Sequence, residues 1–212
     1  MYERYGKRLL DIILSLAATI ILAIPMGLVA LWIKLDSPGP VFFKQRRVGK
    51  GKTHFNILKF RTMRGDTPHD VPTHLLKDAD SYITGSGAFL RKTSLDELPQ
   101  LYDIFIGNMT IVGPRPERLE TIELYEKEMP EFGMRLQVKA GLTGYAQVYG
   151  KANTSPYDKL QMDLMYIGEQ SVITDLKIIF ATIKILFMPE STEGFAEEKD
   201  ALGTDEVTDS MQ

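Results

Sequence analysis

Two adjacent carboxylates, Asp96 and Glu97, stand in the run Arg91-Lys-Thr-Ser-Leu-Asp-Glu-Leu-Pro-Gln-Leu-Tyr-Asp-Ile-Phe105, with Gly113-Pro-Arg-Pro116 following. Carboxylates at a helix start, with arginines before and after, point to phosphate chemistry. Free backbone N–H groups and the positive end of a helix dipole hold anions, and a guanidinium fork matches phosphate oxygens. Ser94 followed by Glu97 fits a capping box, and Leu98, Leu101, Tyr102 and Phe105 recur at the spacing of one helical face. The other reading makes Asp96 the cap and puts Pro99 at the third helical position, where its missing N–H does no harm. In both, Asp96 sits beside N–H groups that hold its pKa low, which makes it a candidate nucleophile. The plain alternative is that Ser94, Asp96 and Glu97 only cap a helix.

The elements that must position this pair begin with a hydrophobic N-terminus. Residues 12–33 carry no charge and are long enough for the roughly 20 residues of a bilayer span. The stretch exceeds a signal-peptide core, and no small-x-small cleavage site precedes Lys34. Pro25 near its middle removes one helical hydrogen bond and predicts a bend. Arg4, Lys7 and Arg8 precede the stretch, and Lys34, Lys44, Arg46, Arg47, Lys50 and Lys52 follow it. Cations on both flanks favour a helix that dips into one leaflet and returns. A Pro-kinked helix that spans is the open alternative.

The 212-residue chain can bury one good core, and it has no cysteine, which excludes disulfides and thiolate chemistry. Its net charge of -3 hides an asymmetry, because residues 190–212 carry -7 and residues 1–189 about +4. A basic body suits anionic lipid and phosphate, whereas the acidic tail reads as solvated and disordered. Three parts follow: a membrane-inserted helix over residues 1–36, a catalytic domain over 37–189 and a tail over 190–212.

Within the body, Val41-Phe-Phe43 and His54-Phe-Asn-Ile-Leu-Lys-Phe60 predict two strands around the turn Gly49-Lys-Gly-Lys52. Residues 65–80 read as a polar loop, 117–129 and 157–166 as helices, and 140–150 as glycine-punctuated loop or strand. Residues 172–188 read either as an interfacial helix or as an ordinary buried one. Gly49-Lys-Gly-Lys52 lacks the frame of a nucleotide P-loop. His54, His69 and His74 lack the spacing of a zinc site.

Six ordered motifs follow the basic start and apolar hairpin: Val41-Phe-Phe-Lys-Gln-Arg-Arg-Val-Gly49, Lys59-Phe-Arg-Thr-Met63, Ser94-Leu-Asp-Glu-Leu-Pro-Gln-Leu101, Gly113-Pro-Arg-Pro116, Gly141-Leu-Thr-Gly-Tyr-Ala-Gln147 and Asp175-Leu-Lys177. In these the chain resembles the small monotopic phosphoglycosyl transferases, the bacterial sugar transferase family. The resemblance implies an α/β fold, mostly α with a small β-hairpin, in which a re-entrant membrane helix precedes a membrane-surface catalytic domain with interfacial helices. It implies transfer of a sugar phosphate from a UDP-sugar to polyprenyl (undecaprenyl) phosphate, the first membrane step of envelope or exopolysaccharide glycan assembly. Asp96 would be the nucleophile, forming a covalent phospho-sugar intermediate and expelling UMP, and Glu97 would hold Mg²⁺.

Arg115 ranks first as a phosphate contact, then Arg91, with Lys59 and Arg61 behind and Gln147 on the nucleotide. The partners implied are the UDP-sugar, polyprenyl phosphate, membrane lipid, a second copy of the chain and downstream glycosyltransferases, with no nucleic acid. The place implied is the cytoplasmic face of the bacterial inner membrane. One departure is Ile24-Pro25 at the membrane bend, where the family often carries Ser-Pro. A non-catalytic membrane-surface module and an aspartyl-phosphate hydrolase are the rival functions.

Overall fold

Hydrophobic spacing builds the first element. The computed structural model describes residues 2–68, 78–150 and 153–186; the acidic tail and the histidines at 69 and 74 lie outside them. Helix α1, Lys7–Asp36, has 30 residues, about 45 Å at the usual rise. Among the described residues it is the one helix long and apolar enough to cross a membrane by length and composition. Ala18, Leu22, Met26, Val29, Ala30 and Ile33 recur one helical turn apart and form a stripe. Its first two members pack on Ile57, Leu101, Ile104 and Met109, and the rest gather around Phe60 and Leu90. The opposite face, with Ile13, Ile20, Ile24, Leu28 and Leu31, is exposed.

The predicted hairpin is present. Strand β1, Phe42–Val48, pairs antiparallel with β2, His54–Phe60, with Phe43 opposite Lys59 and Arg47 opposite Phe55. The turn Lys50–Lys52 between them places Gly51 at φ 63°, a left-handed conformation that favours glycine. Helix α2, Gly85–Thr93, leads into a 3₁₀ turn, Leu95–Glu97, then α3, Gln100–Ile106, and strand β3, Thr110–Val112. Helix α4, Leu119–Glu128, a second 3₁₀ stretch, Pro130–Gln137, and strand β4, Gly141–Thr143, follow. Helices α5, Tyr145–Tyr149, α6, Pro156–Gly168, and α7, Val172–Leu186, complete the chain.

The fold is therefore mostly helical with two small sheets, the hairpin and the parallel pair β3–β4. Strand β4 falls in the glycine-punctuated stretch. Its partner β3 has only three residues, too few for an alternating pattern to register. Helix α7 is covered on one face only: Asp175 and Ile178 are buried, whereas Ile173, Phe180 and Ile183 are exposed. An ordinary buried helix is thereby ruled out.

Helix α1 continues through Pro25 without interruption. The packed stripe runs on both sides of the proline, with Ala18 and Leu22 before it and Met26, Val29, Ala30 and Ile33 after it. At its start the stripe turns polar, with Lys7, Asp11 and Ser15 buried four residues apart. Lys7 Nζ donates to Asp175 Oδ2 at 2.6 Å and to the Tyr166 hydroxyl at 2.9 Å. That hydroxyl lies 2.7 Å from Asp175 Oδ1 and 3.0 Å from the Val112 carbonyl. Asp11 Oδ1 accepts from Thr110 Oγ1 and the Ile111 amide at 2.9 and 3.0 Å.

Arg8 donates to the Ile104 and Phe105 carbonyls at 2.7 and 2.6 Å, closing the end of α3. At the far end of α1, Asp36 Oδ2 accepts from the Ser86 amide at 2.9 Å, next to the start of α2. Both ends of α1 are thus tied to one body.

Candidate active site

The turn that carries the two carboxylates is made by the end of one helix. Thr84 caps α2 by accepting from the Gly87 amide. A Cβ on Gly87 would stand 2.0 Å from the Thr62 carbonyl oxygen, so α2 presses directly on the chain leaving β2. Helix α2 stops at Ser94, whose φ of 56° lies in the left-handed region. That conformation is uncommon for serine and costs on the order of 1 kcal/mol. The reversal sends the chain into the 3₁₀ turn Leu95–Glu97, where the Glu97 amide donates to the Ser94 carbonyl at 3.2 Å.

Neither expected cap forms. Ser94 makes no side-chain cap bond, and α3 starts only at Gln100, after Pro99. The carboxylates follow the end of α2 instead of opening α3. The expected single apolar face divides too: Leu101 is buried with Ile104, whereas Tyr102 and Phe105 are exposed.

Arg115 reaches the turn from the other side because two backbones meet closely. The Gly113 amide donates to the Thr143 carbonyl at 2.8 Å, and the Gly141 amide to the Pro114 carbonyl at 2.9 Å. A Cβ on Gly141 would fall 2.2 Å from the Gly113 nitrogen, so this approach requires glycine. Arg135 Nη2 donates to the Arg115 carbonyl at 3.3 Å, and the same nitrogen meets Asp163 Oδ2 at 2.7 Å. The loop bearing Arg115 is fixed from both ends.

The two carboxylates are treated differently. Glu97 Oε1 takes Lys59 Nζ at 2.7 Å and Arg115 Nη2 at 2.8 Å, while Arg115 Nη1 stands 3.5 Å from Oε2. Burial pushes the Glu97 pKa up, but Arg115 and Lys59 outweigh it and hold the group down at about 2. Among the described residues no hydrogen bond reaches the Asp96 carboxylate. Burial pushes its pKa up; Lys59 opposes this, Glu97 adds to it, and Arg91 and Arg115 oppose it further. This corrects the expectation of a low-pKa Asp96, since neither set of capping N–H bonds is made to it. The outcome is one carboxylate ion-paired through a single oxygen beside one held only by charge.

A cavity opens on this side of Glu97, lined by Arg47, Lys59, Gln100, Arg115 and Pro116 among others. Arg47 and Gln100 were not singled out from the sequence. The available signal was hairpin alternation, since Arg47 lies two and four residues from Gln45 and Phe43 on the strand face that Lys59 shares. Burial pulls the Arg47 pKa down to about 10; Glu117 opposes this, and Arg118 and Arg115 add to it.

The remaining predicted residues go elsewhere. Arg61 is buried and gives its guanidinium to the carbonyls of Ser37, at 2.8 Å, Pro38 and Ile33, so it closes the end of α1 and is not aimed at the carboxylates. Arg91 Nε donates to Thr62 Oγ1 at 2.9 Å, and its charge reaches Asp96 from the end of α2. Gln147 lies on α5 and donates to the Leu142 carbonyl at 3.1 Å, with its buried Oε1 unsatisfied; it does not line the Glu97 cavity.

The low Glu97 pKa makes a stability prediction. A carboxylate at about 2 when folded and 4.5 when free contributes stability above pH 4.5 that is lost as pH falls toward 2, at most about 3 kcal/mol. Urea midpoints between pH 4.5 and pH 3 are expected to fall less steeply for Glu97→Gln than for the wild type. Parallel slopes would mean that Glu97 is not ion-paired in solution.

Residues 2–189 match the family described as bacterial sugar transferase. The UDP-glucose:undecaprenyl-phosphate glucose-1-phosphate transferase of Xanthomonas campestris pv. campestris is 41% identical over 186 residues, 85% of this chain and 38% of its own length. The exopolysaccharide production protein PSS of Rhizobium leguminosarum bv. phaseoli is 41% identical over 187 residues, 84% of this chain and 92% of its own. The UDP-N-acetylgalactosamine-undecaprenyl-phosphate N-acetylgalactosaminephosphotransferase of Aeromonas hydrophila is 36% identical over 184 residues, 85% of this chain and 43% of its own. The chain spans less than half the length of the first and third of these relatives and nearly all of the second.

Proposed function

The chain belongs to the bacterial sugar transferase family, and from that premise we propose that it moves a sugar phosphate from a UDP-sugar to undecaprenyl phosphate through Asp96. The observation that carries this reading is the division of labour in the pair: Glu97 is ion-paired to Lys59 and Arg115, and Asp96 has no hydrogen bond among the described residues. A carboxylate without donors keeps its lone pairs for attack. An Asp96 oxygen attacks the sugar-bearing phosphorus, the bond from that phosphorus to the bridging oxygen breaks, and the electron pair leaves with UMP. An oxygen of the lipid phosphate then attacks the same phosphorus and displaces Asp96. Atoms and charge balance without a proton entering either step.

Arg115 and Lys59 hold the turn and offset charge on the diphosphate, and Arg91 adds its charge from the end of α2. Among the described residues no group of three or more metal-binding side chains stands together. A divalent ion would rest on Glu97 and on phosphate oxygens, a set that fits Mg²⁺. Glu97 Oε2, with only the 3.5 Å contact to Arg115, is the oxygen open to it. When bound, Mg²⁺ supplies charge neutralisation for an anionic nucleophile meeting an anionic diphosphate.

The exposed apolar faces of α1 and α7 support a place at the bilayer surface, and a nucleotide sugar arriving from the cytosol would put it on the cytoplasmic side of the bacterial inner membrane. The attachment of both ends of α1 to one body supports the re-entrant reading of that helix. Cysteines placed near residues 2 and 50 are both expected to resist an impermeant thiol reagent in intact cells. Labelling of the first alone would mean that α1 spans.

The functional test is UMP release by the detergent-solubilised protein with Mg²⁺, undecaprenyl phosphate and a panel of UDP-sugars. The panel is needed because the relatives' names carry glucose in one case and N-acetylgalactosamine in another. Lipid-dependent release with one sugar is the expected result. No release with any sugar from folded protein would defeat the reading.

A further inference from the structure

The cavity beside Glu97 holds more positive charge than its walls offset. Arg47, Lys59 and Arg115 line it against one carboxylate, Glu97. Lys59 and Arg115 are paired to that carboxylate. Arg47 is not: among the described residues no carboxylate lies within ion-pair distance of it. Its Nη2 donates to Gln45 Oε1 at 2.7 Å, a neutral acceptor, and its Nε is buried with no hydrogen-bond partner among the described residues.

An orphaned guanidinium N–H is costly inside a protein, and burying a cation without a counter-charge costs more. Such a group persists where a ligand completes it. Asp96 and Glu117 act on these cations through charge, but among the described residues neither is ion-paired to Arg47, and Glu117 is given to Arg135. The strand register puts Arg47 on the same hairpin face as Lys59, four pairs along the ladder, and both side chains line the cavity.

We propose that Arg47 is a phosphate-binding residue of this cavity and takes an oxyanion of the phosphate or diphosphate class together with Lys59 and Arg115. The assignment rests on the transferase reading for its biological ligand but not for its chemistry. The same oxyanion occurs in a nucleoside diphosphate arriving from water and in a lipid phosphate arriving from the bilayer. Arg47 is a binding residue, and the reacting phosphorus stays with Asp96.

The test is calorimetric binding of pyrophosphate, UDP and undecaprenyl phosphate in detergent to the full chain, comparing wild type with Arg47→Gln and Arg47→Lys. A charge-assisted hydrogen bond of this kind corresponds to about a tenfold to hundredfold change in Kd. Arg47→Gln is expected to weaken pyrophosphate and UDP by that factor, with Arg47→Lys between the two, and to raise KM for the UDP-sugar more than it lowers kcat. Weakening confined to undecaprenyl phosphate supports the residue and assigns the cavity to the lipid headgroup. Wild-type affinity for all three ligands in Arg47→Gln overturns the proposal. If that variant does not fold, Arg47→Lys decides alone, since it keeps the charge and loses the fork: weaker binding supports the proposal and unchanged binding overturns it. Wild-type protein that binds pyrophosphate through Arg47 yet releases no UMP would defeat the transferase reading and leave this one standing.

Discussion

Asp96→Asn is expected to lower UMP release by about a thousandfold or more, the scale of losing a covalent nucleophile, while leaving the fold in place. The asparagine keeps the shape of the side chain and removes its negative charge. Because no hydrogen bond among the described residues reaches the Asp96 carboxylate, none is broken by the change. Removing a buried carboxylate whose pKa burial raises also relieves a cost of folding, so the variant is expected to melt no lower than the wild type. The chemical signature is an adduct. Wild-type protein given labelled UDP-sugar without lipid acceptor should keep label through denaturation, and Asp96→Asn should keep none. Label retained by Asp96→Asn would move the nucleophile to another residue.

The second large effect is on stability. Asp175 is buried at the start of α7 and receives Lys7 Nζ at 2.6 Å, the Tyr166 hydroxyl at 2.7 Å and the Tyr2 hydroxyl. Asp175→Asn leaves the buried Lys7 ammonium without its counter-charge, a change that typically costs about 3–5 kcal/mol. For a chain of this size that is a fall in Tm of roughly 6–20 °C. The double variant Lys7→Met/Asp175→Asn is expected to recover part of the loss, because the stranded charge is gone. A double variant as unstable as the two single losses added together would mean that the pair does not interact in the folded protein.

How much of this was legible in the sequence depended on whether the signal was local. The hairpin, α4 and α6 were written in alternation and helical spacing. Asp96, Glu97 and Arg115 were recognisable because residues of the right chemistry stand close together, and Lys59 could be named from its motif. Charge alone misled for Arg61 and left Arg8 unexplained. Arg61 read as a phosphate contact and Arg8 as a basic flank of the apolar stretch, and both close the carbonyl end of a helix that lies far away in sequence. A guanidinium fits either partner, and only the fold decides which it meets.

The turn at Ser94 was illegible for a related reason. A serine three residues before a glutamate is a common opening to a helix, and only packing of α2 against Thr62 shows that a helix closes there. The polar ladder Lys7, Asp11 and Ser15 was hidden within what reads as an approach to the membrane. Arg47 was seen as one of several basic residues; its orphaned nitrogen needed coordinates.

The stripe on α1 has a consequence for how the protein can be handled. Ala18 and Leu22 seal one apolar cluster, while Met26, Val29, Ala30 and Ile33 seal another that also holds Leu95 and Leu98, the residues on either side of the carboxylates. The segment that looks like a tether is a wall of the body that carries the carboxylates. Cutting it away to obtain a soluble fragment would uncover the back of the turn that carries Asp96 and Glu97, so removing the apolar helix would also disturb the arrangement of the two carboxylates.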